Sequence, residues 1–276
     1  MTITSIDTIF HPTDFSNTSR VAFEHALKLA LLLKAELRMM HVASGHDAHW
    51  VEFAGVRETL ERWKLLPPGS PRHAVPQLGI NVQKIIAKES DPVRACLHEL
   101  ERNPAELIVL ATHQHEGRMT WFRHAVAEPL ARASKTMTLF IPQDAKGFVN
   151  SADGSIQLQS ILIPVAVTPS PKPAIDAINR FTRLIGPTGS GIVTTLHVGG
   201  GEAQLQTEPL ATGWRWNQIN HDGAPVETIL RTANEINADL IAMTTQGRHG
   251  FLDLLRGSTT ERILHGAHRP VLAVPA

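Results

Sequence analysis

The chain repeats itself. Ile9-Phe10-His11-Pro12-Thr13-Asp14 is echoed by Ile161-Leu162-Ile163-Pro164-Val165-Ala166, 152 positions later. Met39-Met40-His41-Val42 is echoed by Thr195-Leu196-His197-Val198, 156 positions later. Three later pairs stand 133 apart: Asp91-Pro92 with Ala224-Pro225, Ala105–Ile108 with Ala238–Ile241, and Thr138–Pro142 with Val271–Pro275. The matches keep one order, so the chain is a diverged tandem duplication. The offset falls by 23 between the second and third matches, so the second half has lost about one helix with its loop. A length of 276 residues suits two such domains.

Each half alternates short apolar runs with segments of helical periodicity. In the first half, strands are predicted at Ile6–His11, Glu36–Val42, Ile80–Ala87, Leu107–Ala111 and Met137–Ile141. Ser16 or Asn17 caps the first helix, and Val21, Phe23, Ala26, Leu27, Ala30 and Leu31 form its apolar face. Further helices are predicted at Trp50–Leu66, from Asp91-Pro92 to Arg102, and at Trp121–Ser134. In the second half, strands are predicted at Ser160–Val165, Gly191–Val198, Trp214–Asn220, Leu240–Thr244 and Val271–Val274. Helices are predicted at Lys172–Ile185, Pro225–Asn237 and Ser258–Ala267. Trp214 and Trp216 are expected to face opposite ways, one of them into the core. The alternation predicts an α/β fold of two tandem Rossmann-like domains, each a parallel sheet with helices on both faces. The polar stretch Lys146–Gln157 reads as the linker, giving domains at 1–145 and 158–276.

Composition narrows the function. Lys plus Arg and Asp plus Glu number 26 each, so no basic surface for nucleic acid or membrane is expected. One cysteine, Cys96, excludes an internal disulfide framework and a Cys-rich zinc module, and it reads as a packing residue. No secretory signal begins the sequence, and the apolar run Leu29–Leu33 is far too short to span a bilayer. A cytoplasmic protein is the expectation.

Two phosphate signatures are missing: there is no G-x-x-x-x-G-K-[ST], and no G-x-G-x-x-G follows the first strand of either half. A different pattern follows the fourth strand of the second half. Gly247-Arg248-His249-Gly250 is followed after six residues by Gly257-Ser258-Thr259. Glycines let backbone approach an anion closely, and N–H groups at a helix start point at it. Ser258 and Thr259 add hydroxyl donors, and Arg248 adds charge. The alternative is a turn in which Ser258 caps a helix with Glu261 as its capping-box partner.

With these motifs, the whole chain outside the linker resembles a tandem universal stress protein. The resemblance rests on Pro12-Thr13-Asp14 and its copy Pro164-Val165-Ala166, on His41-Val42 and His197-Val198, on the Gly247–Ser258 pattern, and on terminal strands ending in Pro. It implies five parallel strands per half in the order 3-2-1-4-5, with the halves paired like a family homodimer; a dimer of chains is a further arrangement. It also implies a stress-response protein without catalytic residues, in which ATP or another adenine nucleotide, with Mg²⁺, sits at the switch point of the sheet. Carried over to the second half, the nucleotide residues are Val198, Thr244, Gly247, Arg248, Gly250, Gly257, Ser258 and Thr259. Ala166 there replaces the family's Asp, and the spacer of six is shorter than the nine of the commonest ATP-binding version. The first half keeps a vestigial set, Pro12, Thr13, Asp14, Val42 and Gly117, but has His124-Ala125 in place of Gly257-Ser258. Neither half is complete, so a nucleotide-independent interaction scaffold is the competing reading.

The fifteen histidines allow another. His11, His41, His113, His115 and His124 fall near the ends of strands one, two and four. Imidazole binds Zn²⁺, Cu²⁺ or Ni²⁺, which makes His11, His41, His113 and His115 candidate metal ligands, with Asp14 as an oxygen donor. Against this, His41 and His197 share one repeat position, as a fold feature would.

Overall fold

In a computed structural model, the described residues are 5–43, 55–112, 126–143, 145, 147–185, 190–200, 209–245 and 259–276. The chain divides into two compact units, Met1–Ser155 and Ile156–Ala276. The first holds β1 (Thr8–Pro12), α1 (Asn17–Leu33), β2 (Glu36–Val42), α2 (Val56–Arg62), β3 (Val82–Ala87), α3 (Pro92–Arg102), β4 (Leu107–Thr112), α4 (Ala127–Ser134) and β5 (Met137–Pro142). The second holds β6 (Ser160–Val165), α5 (Lys172–Ile185), β7 (Gly191–Val198), β8 (Trp214–His221), α6 (Pro225–Glu235), β9 (Leu240–Thr245), α7 (Thr259–Gly266) and β10 (Val271–Pro275). Strand order is β3-β2-β1-β4-β5 in one unit and β8-β7-β6-β9-β10 in the other, all parallel. Each unit thus has the order 3-2-1-4-5 in its own count. Among the described residues no helix lies between β7 and β8, where the shortened offset placed the deletion.

Local chemistry explains the elements. Every residue of β1 is buried, as a central parallel strand covered on both faces requires. Ser16 caps α1 by accepting from the Ser19 N–H, and Lys34 ends it in the left-handed conformation at φ 57. Ala22, Phe23, Ala26, Leu27 and Ala30 bury the helix face, Phe23 alone contributing about 1.5–3 kcal/mol. Asp91 caps α3 through the Val93 and Arg94 N–H groups, with Pro92 in the first turn. Among the described residues no helix is long and apolar enough to cross a membrane.

Cys96 lies buried in α3, and burial, with Glu89, Glu99 and Asp91 nearby, pushes its thiol up to about 12. The thiolate is the reactive form. Iodoacetamide at neutral pH is therefore expected to leave the folded chain unlabelled and to alkylate it fully in denaturant, read by intact mass. Rapid labelling of the folded chain would contradict this burial.

Two sequence expectations need correcting. Trp214 and Trp216 do not face opposite ways: side chains alternate along a strand with period two, so residues two apart share a face. Trp214 is buried and Trp216 half-buried, with Arg215 exposed between them. The stretch after β5 is also more than a polar connector. Phe148 and Val149 are buried, and both of their N–H groups donate to His25 Nε2, at 3.0 and 3.2 Å. His25 Nδ1 donates to the Val21 carbonyl at 2.8 Å, which fixes the neutral tautomer. The Phe148 ring stands edge-on to the imidazole at 4.7 Å. Gly147 has φ 70, and a Cβ there would fall 2.1 Å from His25 Cε1, so this position demands glycine twice over. Glu24, 1% exposed, accepts from Ser151 Oγ and pairs with Arg62 at 2.7 Å. Arg62 Nε and Trp63 Nε1 both donate to the Ser151 carbonyl. The segment is a strap across α1 and α2.

Candidate functional site

In both units the first and fourth strands pair over only two residue positions. Ile9 and Phe10 face Leu107 and Ile108, while Ile161 and Leu162 face Leu240 and Ile241. Past these pairs the first and fourth strands are no longer paired, at the point where the chain order reverses. Open α/β sheets bind ligands in the crevice at the carboxyl ends of such strands.

In the first unit this end is heavily self-bonded. Pro12 closes β1. The Thr13 N–H donates to the Met40 carbonyl, its Oγ1 shares a hydrogen bond with Ser19 Oγ, and its carbonyl accepts from His41 Nδ1 at 2.8 Å. Asp14 Oδ1 accepts the Ser16 N–H at 3.0 Å, so this carboxylate is already engaged in turning the chain into α1. Phe15 takes φ 63, in the left-handed region that bulky residues avoid. Its ring stacks on His41 with centroids 4.1 Å apart and planes at 25°. Val42 is buried at the end of β2.

His11 lies one strand position below, fully buried. Its Nδ1 donates to the Val109 carbonyl at 2.9 Å, just where β1 and β4 separate, and its Nε2 has no partner. Burial brings its pKa down to about 4, against weaker raising effects of the Val109 carbonyl and Asp14. Nδ1–H bonded to a carbonyl with Nε2 bare is the arrangement seen in metal-ligating histidines. Among the described residues, however, no cluster of three ligating side chains includes His11 or His41. His113, His115, His124 and Gly117 lie outside the described residues.

In the second unit, Ala166 stands exposed in place of Asp14, and Val167 stands 92% exposed in place of Phe15. His197 Nδ1 reaches the Val165 carbonyl at 3.4 Å, a longer version of the His41 bond. Val198 is half-buried at the end of β7. Thr244 is buried, and its Oγ1 accepts the Ala174 N–H at 3.2 Å, tying β9 to α5. Thr259 begins α7 and is exposed. Gly247, Arg248, Gly250, Gly257 and Ser258 lie outside the described residues.

Sequence reasoning missed the Phe15–His41 stack and the Glu24–His25 anchor. The second had a signal: a carboxylate and an imidazole inserted between Phe23 and Ala26, inside the apolar stretch of α1. The first had none, because stacking depends on how two strand ends meet.

A model of the universal stress protein family matches residues 5–142 and 201–275. A universal stress protein of Methanocaldococcus jannaschii is 36% identical over 77 residues, 27% of this chain and 45% of that protein. The matched stretch therefore spans less than half of that relative. Two solved structures align along nearly the whole chain. A universal stress protein of Archaeoglobus fulgidus has a TM-score of 0.62 at 17% identity, covering 97% of this chain and 96% of that one. A functionally unknown protein of Pseudomonas aeruginosa has a TM-score of 0.63 at 14% identity, covering 98% and 92%. At such identities the likeness carries the fold alone. The family match reaches both halves and more than half of the chain, and so this chain belongs to the universal stress protein family, whose members are generally non-enzymatic stress-response proteins.

Proposed function

We propose that the second unit binds an adenine nucleotide or another phosphate-bearing ligand, and that the first unit is a degenerate partner. The observation that carries this is the run Gly247-x-x-Gly250-x6-Gly257-Ser258, which leaves the carboxyl end of β9 at the switch point and leads into α7. A loop of this composition offers backbone N–H groups to phosphate oxygens, and the α7 dipole adds about 0.3–1 kcal/mol. Val198 and Thr244 lie near the carboxyl ends of β7 and β9, the strands on either side of β6. Arg248, Ser258 and Thr259 would supply charge and hydroxyl donors, and Mg²⁺ would accompany a triphosphate. Binding would act through the shape or the partners of the chain.

Replacing Gly257 and Ser258 together with leucine is expected to weaken ATP binding at least tenfold in calorimetry, with the circular dichroism spectrum unchanged. Unchanged affinity would overturn the site. The interaction-scaffold reading gains from one observation: in the first unit Asp14 and Phe15 are both committed to contacts within the chain.

A further inference from the structure

The first unit gathers positive charge in a segment that its repeat lacks. Residues 55–88, from the residue before α2 to the residue after β3, carry six lysines and arginines against Glu58 and Glu61, a net of +4 in a chain whose total is zero. Three of the six meet at one place. Arg57 lies in the first turn of α2, Arg72 opens the short helical turn Arg72–Ala74, and Lys84 stands in β3, the outermost strand of this unit's sheet. The turn is tied to the helix: Arg57 Nη1 donates to the Ser70 carbonyl at 3.0 Å, and the Ser70 N–H donates to Glu61 Oε1 at 3.1 Å. Arg57 and Lys84 are half-buried, while Arg72 is exposed. Burial holds the Lys84 ammonium below the usual lysine range; Glu58 acts against this, and the like charges of Arg72 and Arg57 add to it. Both guanidinium groups therefore stand within charge range of the ammonium, and so does the Glu58 carboxylate.

We infer that Arg57, Arg72 and Lys84 form a binding site for a small, multiply charged oxyanion of the phosphate kind. Like charges repel, and crowding three of them around the carboxylate of Glu58 costs free energy that a bound anion offsets. A guanidinium presents five N–H donors in a planar fork that matches phosphate oxygens, so one bond to Ser70 fixes Arg57 in place without using up its donors. The ammonium adds a compact point charge. The second unit supplies the contrast. Met39 and Thr195 share a repeat position; Met39 pairs with Lys84 and Thr195 with Gln218, so the counterpart of Lys84 is uncharged. Among the described residues no helix between β7 and β8 replaces α2. The oxyanion site therefore belongs to the first unit and does not rest on the glycine loop of the second.

The test is calorimetry of inorganic pyrophosphate on the full chain with Gly257 and Ser258 both replaced by leucine, so that the second-unit loop does not contribute. One pyrophosphate is expected to bind per chain, more weakly as salt rises. Lys84→Gln, which copies the second unit, and Arg72→Gln should each weaken it about tenfold. Lys84→Arg keeps the charge and should keep the binding. Glu58→Gln removes the competing carboxylate and should tighten binding several-fold, a change that a merely structural cluster would not produce. No binding at millimolar pyrophosphate overturns the site. Binding that survives Lys84→Gln and Arg72→Gln unchanged reads as an adventitious ion only and overturns it too. A Glu58→Gln variant that binds more weakly assigns the cluster to holding the fold, and likewise overturns the inference.

Discussion

Acidification from pH 6.5 to pH 4 is expected to destabilise the folded chain by about 3 kcal/mol for each of two buried histidines. His11 and His25 are both held down to about 4, in each case chiefly by burial. An unfolded histidine takes up its proton near pH 6.5. Below that pH the unfolded chain therefore binds more protons than the folded one, and stability falls as pH falls. The contribution is complete above pH 6.5 and is lost progressively toward pH 4. The combined loss is of the order of a typical domain's whole stability, about 5–15 kcal/mol, so acid unfolding is expected between about pH 4 and 5. The geometry agrees with the direction. His25 Nε2 accepts two backbone N–H groups, and a protonated nitrogen cannot accept. His11 Nε2 faces no acceptor, so a proton there would bury an unpaired charge. Urea midpoints measured across this range test the account. His11→Leu should remove roughly half of the pH dependence, and a wild-type midpoint that is flat from pH 7 to 4.5 would contradict it.

Phe148→Ala is expected to cost about 3–5 kcal/mol. The side chain is 0% exposed and packs edge-on against His25, at the point where the strap's N–H groups reach the same imidazole. Truncation leaves a cavity and loosens the donors that His25 needs. Gly147→Ala should be costly for a separate reason, since its Cβ would overlap the imidazole and its φ is positive. Urea denaturation of both variants at pH 7 checks this, and losses under about 1 kcal/mol would mean that the strap does not stabilise the first unit.

The fold was readable in the sequence because its determinants are local. Strand-length apolar runs, Ser16 and Asp91 as caps, Pro92 in a first turn and the falling repeat offset all act within a few residues, or by comparison of the two halves. The strap was not readable. Phe148 and Val149 are separated from His25 by more than 120 positions, and two apolar residues in a polar stretch carry no period. The site was half readable. Composition picked out the glycine loop, and the repeat picked out His41 and His197 as equivalent. Only the meeting of β1 and β2 in space shows that Phe15 lies on the His41 ring, whereas Val167, its counterpart, is exposed. Thr244 illustrates the opposite limit: motif position marks it for a ligand, whereas its hydroxyl already serves the α5 backbone.

The central claim is that nucleotide binding in this chain is asymmetric, confined to the second unit. Native mass spectrometry of the full chain with millimolar ATP and Mg²⁺ tests it most directly. The account predicts a complex of one nucleotide per chain, abolished by joint replacement of Gly257 and Ser258. A bare chain under the same conditions, or two nucleotides per chain, would contradict it.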